Sequence, residues 1–283
     1  MRLVSYRFAG ADAYGVVSGG GIIGVGADLG NRAPTLRDAL SLGALDEIAQ
    51  IAETAEPDHS LEEVELALPI PQPQKILCAG RNYRAYHEVV EEGQTPEFPS
   101  IFGRIVSGFA AHGQAILKPR EAEKLDYEGE LVAVIGNRGR HIERARALDH
   151  VAGYTCMNEG TVRDWMKRGT QNTPAKNFFR SGGIGPWLVT ADEVGDPSKL
   201  RITTRRNGEV VQDGGTDMMI FDLPYLIAHI SKFTWLEPGD MIATGSPGGS
   251  IIESEQPDWL EEGDVVEVEI SGIGTLRNPV ENE

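Results

Sequence analysis

Leu125-Asp126-Tyr127-Glu128-Gly129-Glu130-Leu131-Val132-Ala133-Val134-Ile135-Gly136 is the stretch on which the fold turns. Its apolar residues are β-branched or aliphatic and a glycine closes the run, so it reads as a strand. Alternate side chains of a strand share a face, which sets Glu128 and Glu130 on one side with Val132 and Val134 after them. Two carboxylates on a face that becomes covered repel each other and lose solvation, which costs several kcal/mol unless a positive charge sits between them. Two readings follow. Either the face is solvated at its start and buried only further on, or the pair holds a divalent cation through oxygen ligands.

The rest of the chain sets the context for that pair. At 283 residues it is long enough for one large core, or for a core with a smaller unit appended. Its apolar and charged fractions, 40% and 24%, are ordinary for a soluble globular protein. The formal net charge of −17 disfavours nucleic acid and anionic membrane as partners. An anionic substrate would therefore need local positive charge from arginine, lysine or a metal. Cys78 and Cys156 sit in apolar, strand-like surroundings and fit reduced, buried thiols. With no N-terminal signal pattern and no apolar run near the ~20 residues that span a bilayer, the expected location is cytoplasmic.

Upstream, residues 1–70 read as a small α+β domain: short strands at 2–8, 14–18 and 22–27, then helical spacing at 35–42 and 45–55. Gly19-Gly20-Gly21-Ile22-Ile23-Gly24 matches a dinucleotide-binding pattern in form. The glycines lead into a β-branched run and not a helix, so a hairpin turn is the reading. Leu68-Pro69-Ile70-Pro71-Gln72-Pro73 is an extended, proline-spaced linker, and residues 71–283 form the main domain. There 75–79 reads as a strand, 83–92 as a helix with His87 and Glu91 one turn apart, 142–148 as a helix, and 151–157 as a strand. Asn158 has the character of an N-cap, with Glu159 at the first helical position and Arg163 one turn on. Asn207-Gly208 signals a two-residue hairpin, and Asp222 caps a helix to about residue 232. The main domain is thus β-dominated with few short helices, without the regular alternation of a doubly wound sheet.

Ser246 does not make a serine-hydrolase elbow, because Thr244 stands at the first position and Pro247 has no backbone N–H to give. His59, His141, His150 and His229 lack ligand spacing, so an all-oxygen site on Glu128 and Glu130 favours magnesium, manganese or calcium over zinc. Arg163 suits a fork onto a carboxylate, or an ion pair within the protein.

Several blocks, taken in order, resemble the fumarylacetoacetate hydrolase family: Gly80-Arg81-Asn82-Tyr83, Glu128-Gly129-Glu130, Asn158-Glu159 with Arg163-Asp164, Lys176-Asn177-Phe178, Asn207-Gly208-Glu209-Val210 and Thr244-Gly245-Ser246-Pro247. The resemblance covers about residues 70–280. It implies an α+β, mixed β-sandwich roll, a homodimer, and a magnesium, manganese or calcium ion held by Glu128, Glu130 and Glu159. The third ligand is more often aspartate in the family. It further implies Lys176 as the group that stabilises an enolate, with Tyr83, Arg104, Arg163, Thr244, Gly245 and Ser246 around a 2-oxo or 2,4-dioxo acid. The family's water-activating histidine falls one residue early, at Tyr86, so the resemblance implies His87 in that role, oriented by Glu91 or by Glu88. Phe179 and Met166 also depart from the family pattern, which carries aspartate and glutamine there. The implied activity is metal-dependent hydrolysis of a carbon–carbon bond in an acylpyruvate. Decarboxylation, hydration or isomerisation of a 2-oxo acid, or non-catalytic binding of one, are the alternatives.

Overall fold

The computed structural model describes residues 1–84 and 95–283. The quoted stretch lies at the centre of the largest sheet, which has twelve strands among the described residues. Gly129–Ile135 pairs antiparallel with Val151–Asn158 on one side and with Met241–Ala243 on the other. Outward from Val151–Asn158 come Gly182–Thr190, Arg2–Phe8, Ala11–Ser18 and Gly21–Gly24. In the other direction Met241–Ala243 runs parallel to Ile76–Gly80, which pairs antiparallel with Ser100–Arg104.

Alternation along Gly129–Ile135 divides the core. Val132 and Val134 pack with Leu36, Ala39, Leu40 and Ile48 from the N-terminal helices. Leu131, Ala133 and Ile135 face the opposite way, against Ile202, Val268, Ile270 and Leu276 of a second, five-stranded sheet. That face also receives Leu226, Ile227 and Ile230 of the Leu223–Phe233 helix, capped by Asp222, whose carboxylate accepts from the Tyr225 N–H. Every side chain of the central strand is buried, as expected for a strand covered on both faces. The fold is thus a β-dominated α+β structure of mixed sheets. No helix among the described residues is long and apolar enough to cross a membrane.

Several turns follow their local chemistry. Asn207 and Gly208 both have positive φ and close the hairpin between Arg201–Arg206 and Glu209–Gly215. Gly19 and Gly20, also at positive φ, turn Ala11–Ser18 into Gly21–Gly24. The boundary expected near residue 70 is crossed by both sheet and core, since Arg2–Phe8 pairs with Gly182–Thr190 and Leu3 packs in the cluster that holds Val132. The helix expected over 142–148 is a 3₁₀ segment, Arg144–His150.

Candidate active site

The strand over 125–136 is broken at its start, and the break builds the site. Leu125–Asp126 pairs with Thr161–Val162, whereas Gly129–Ile135 belongs to the central sheet. Glu128 lies in the gap between these two pieces, and Glu130 lies one residue inside the central strand. Both still line a single cleft, together with Glu159, Arg163, Lys176, Gly245 and Ser246. Gly129 is required between the two acids, because a Cβ there would meet Thr204 Oγ1 at 2.2 Å.

Glu159 does not open a helix. The Val151–Asn158 strand runs to its end in register with Gly129, and the Asn158 side chain accepts from the Glu128 N–H at 3.0 Å. Gly160 at φ 44° then turns the chain into Thr161–Val162. Sheet pairing and the glycine turn override the capping preference of Asn158, and this places Glu159 in the cleft with 2% exposure. Glu159 and Arg163, one helical turn apart in the sequence reading, take other partners. Arg104 reaches Glu159 Oε1 at 3.1 Å and also donates to the Glu159 carbonyl. Arg163 donates to Asp126 at 2.7 Å and to Glu128 at 2.9 Å.

Lys176 sits among these acids at the end of the short Thr173–Lys176 helix. Its ammonium lies 2.5 Å from both Glu128 Oε2 and Glu159 Oε2. Burial opposes ionisation of Glu128, but Arg163 and Lys176 outweigh it and hold this carboxyl far below the usual range. Glu130 is the opposite case. Burial and the repulsion of Glu159 and Glu128 push its pKa well up, with its Oε2 accepting from the Gly245 N–H at 2.9 Å. Among the described residues no ion pair offsets Glu130, so its ionised form is disfavoured unless a further positive charge comes to the floor of the cleft.

A divalent cation is the chemical complement of that imbalance. The donor set is three carboxylates, Glu130 and Glu159 buried and Glu128 partly buried, hard oxygen ligands that suit magnesium, manganese or calcium. Among the described residues the side chains do not already converge as a ligand cage. Lys176 bridges two of the three acids, so an ion would share the floor with its ammonium or displace it. The residues thus fit such an ion by chemistry, and Glu128, Glu130 and Glu159 are the ones that would hold it.

Of the expected substrate contacts, Arg163, Gly245 and Ser246 line the cleft. Gly245 at φ 96° passes within 2.9 Å (measured from an ideal Cβ) of the Ala79 carbonyl, an approach only glycine tolerates. The Ser246 hydroxyl accepts from Gln212 Nε2 at 2.8 Å. Tyr83, Arg104 and Thr244 stand behind the walls and do not line the cleft. Arg104 is spent on Glu159 and stacks 4.3 Å over the Phe109 ring. The Thr244 hydroxyl donates to the Leu131 carbonyl at 3.0 Å, since strand geometry turns it inward. His87 and Glu91, expected as the water-activating pair, lie outside the described residues.

Two residues were not foreseen. Asp126, fully buried, holds Arg163 from behind and accepts from the Ile251 and Ile252 N–H groups, tying the loop at 250–252 to the acidic floor. Gln212 fixes Gly129 and Ser246 at once. Asp126 precedes Glu128 by two, a spacing that read as part of one strand; nothing local distinguishes Gln212.

The family model described as fumarylacetoacetate (FAA) hydrolase, C-terminal, matches residues 75–281. Oxaloacetate tautomerase YisK of Bacillus subtilis (strain 168) is 41% identical over 225 residues, covering 78% of this chain and 75% of that protein. The solved fumarylacetoacetate hydrolase from psychrophilic Exiguobacterium antarcticum superposes with a TM-score of 0.84 at 30% identity, covering 100% of both chains. Maleylpyruvate hydrolase from Sphingobium sp. SYK-6, solved in complex with manganese(II) and pyruvate, gives 0.83 at 26% identity, covering 100% of this chain and 99% of that one.

Proposed function

This chain belongs to the fumarylacetoacetate hydrolase family, and from that premise we propose that it is an enzyme that carries a 2-oxo acid through its enolate, tautomerising enol and keto forms. The observation that carries the reading is the ammonium of Lys176 set between Glu128 and Glu159 on the floor of one cleft. Two of its N–H bonds point at those carboxylates, which leaves the third for an oxygen of the substrate. Lys176 thereby orients the 2-oxo group and holds a proton beside the atom on which negative charge develops. Arg163, gripped by Asp126 and Glu128, fixes the positions of the acids around it. A divalent cation held by Glu128, Glu130 and Glu159 would supply Lewis-acid polarisation of the 2-oxo group. Support for the tautomerase direction comes from the oxaloacetate tautomerase of B. subtilis, at 41% identity.

Hydrolysis of an acylpyruvate-type bond is the second reading. It is favoured by the likeness to a maleylpyruvate hydrolase solved with manganese and pyruvate. It requires an activated water in addition to the enolate chemistry, the role expected of His87 and Glu91.

Product analysis with magnesium or manganese separates the readings. A tautomerase speeds the loss of enol absorbance from freshly dissolved enol oxaloacetate while total oxaloacetate stays constant. A hydrolase releases pyruvate and a second acid from an acylpyruvate in equal amounts. Carbon dioxide release from oxaloacetate would point to decarboxylation. Failure to accelerate any of these reactions refutes the enolate reading.

A further inference from the structure

We propose that the N-terminal region carries a second binding site, separate from the acidic cleft, for a small monocarboxylate with one apolar ring. A cavity of about 170 Å³ opens between the Ala11–Ser18 strand, the Leu36–Ser41 helix and the Pro71-Gln72 part of the linker. It shares no lining residue with the cleft that holds Lys176 and the three acids. An apolar cavity of ~150 Å³ holds benzene, so this one has room for a single ring and a short substituent. Tyr14, Pro34, Leu36 and Pro71 stand on its wall and give a ring apolar surface to pack against.

Most polar groups of the wall are already spent. Ser5 lies opposite Tyr14 and Arg7 opposite Asp12 in the antiparallel pair, which brings all four to one face of the sheet. The Ser5 hydroxyl donates to the Pro69 carbonyl at 2.9 Å, and the Tyr14 hydroxyl donates to the Ala33 carbonyl at 2.7 Å. Arg7 and Asp12, both exposed, hold each other at 2.9 Å.

Arg37 is the exception. Its stem is packed tightly, since a Cβ built on Gly239 would meet Arg37 Cγ at 2.8 Å and Cδ at 3.2 Å. Nη1 donates to the Gln72 carbonyl at 3.2 Å, which fixes the guanidinium beside another residue of the same wall. Nε is buried with no acceptor, and Arg37 pairs with no acid among the described residues. A guanidinium partly removed from water without a counter-charge is unfavourable, and an anion beside it relieves that cost. With the stem and Nε enclosed, the Nη end remains for the ligand. A carboxylate is the anion that this end meets with charge-assisted N–H···O bonds, and the adjoining apolar wall receives the ring.

The test is titration calorimetry in chelator with benzoate and with benzamide, which has nearly the same shape and no charge. Wild type should bind one benzoate per chain, at least ~10-fold more tightly than benzamide. Arg37→Gln should lose that preference and bind the two compounds alike. Ala67→Leu keeps the guanidinium but adds bulk at the cavity wall, and it should weaken both compounds; it serves equally if Arg37→Gln does not fold. Lys176→Met, which removes the ammonium of the cleft, should bind benzoate as wild type does. No saturable binding of benzoate, or equal affinity of wild type for benzoate and benzamide, overturns the proposal. So does a benzoate affinity that falls in Lys176→Met while Arg37→Gln or Ala67→Leu retains it.

Discussion

Replacing Lys176 with methionine removes the charge that bridges Glu128 and Glu159, at nearly constant side-chain volume. Each Nζ–Oε contact is 2.5 Å, and at an effective dielectric of ~20 that corresponds to a gross attraction of about 6–7 kcal/mol. Desolvation of these three charges offsets much of this, and Arg163 and Arg104 still hold one acid each. Breaking a buried pair from one side leaves a net loss of about 3–5 kcal/mol. For a chain of this size that lowers the melting temperature by roughly 6–15 °C in chelator-treated protein. The pH dependence has a definite sign. Against the opposition of burial, Arg163 and Lys176 depress the Glu128 pKa in the folded state, so the stability they provide is complete above the ordinary glutamate range and is lost as pH falls through the folded value. The deficit of Lys176→Met is therefore largest at neutral pH and shrinks in acid. A divalent cation can take the place of the missing ammonium, so manganese should raise the melting temperature of the variant by more than it raises that of wild type. Scanning calorimetry with chelator and with manganese reads both effects. A variant that melts within ~2 °C of wild type in chelator, or that gains no more from manganese, refutes this account of the floor.

Other outcomes follow from the surrounding packing. Gly129→Ala drives a methyl into Thr204 Oγ1 and should cost about 1–3 kcal/mol by urea unfolding; adding Thr204→Ala should restore part of it, and no restoration would mean the clash lies elsewhere. His112 accepts from the Arg277 N–H at 3.2 Å, and burial followed by the charge of Arg277 lowers its pKa. Its neutral form is thus favoured in the folded state, so its contribution is complete above about pH 6.5 and declines as pH falls. The stability of His112→Asn should accordingly be flatter than that of wild type between neutral pH and pH 5, and parallel profiles would contradict the assignment.

Much of the sheet was legible because its signals are local. The β-branched and aliphatic run at residues 131–135 closed by Gly136, the Asn207-Gly208 turn and the Asp222 cap each specify their element within a few residues. The site was legible in kind but not in wiring. Glu128 and Glu130 do converge, yet through a break in the strand that the apolar pattern conceals. Asn158-Glu159 carries a good helix-start signal, and the signal loses to strand pairing with Gly129 and to the turn at Gly160. Which arginine meets which acid depends on contacts between distant segments, as with Arg104 and Glu159 or Arg163 and Asp126. The joining of Arg2–Phe8 to Gly182–Thr190 is likewise a pairing across most of the chain, for which no local pattern exists.

The most direct test of the acidic floor is manganese binding, measured by the loss of the free-ion paramagnetic resonance signal on titration. The account predicts one manganese per chain in wild type. Affinity should weaken at least ~10-fold in Glu130→Gln, as expected when one of three carboxylate ligands is lost. It should be unchanged in Glu253→Gln, where the acid lines the cleft but is engaged in capping Ser250. No saturable site in wild type, or equal weakening in both variants, would contradict it.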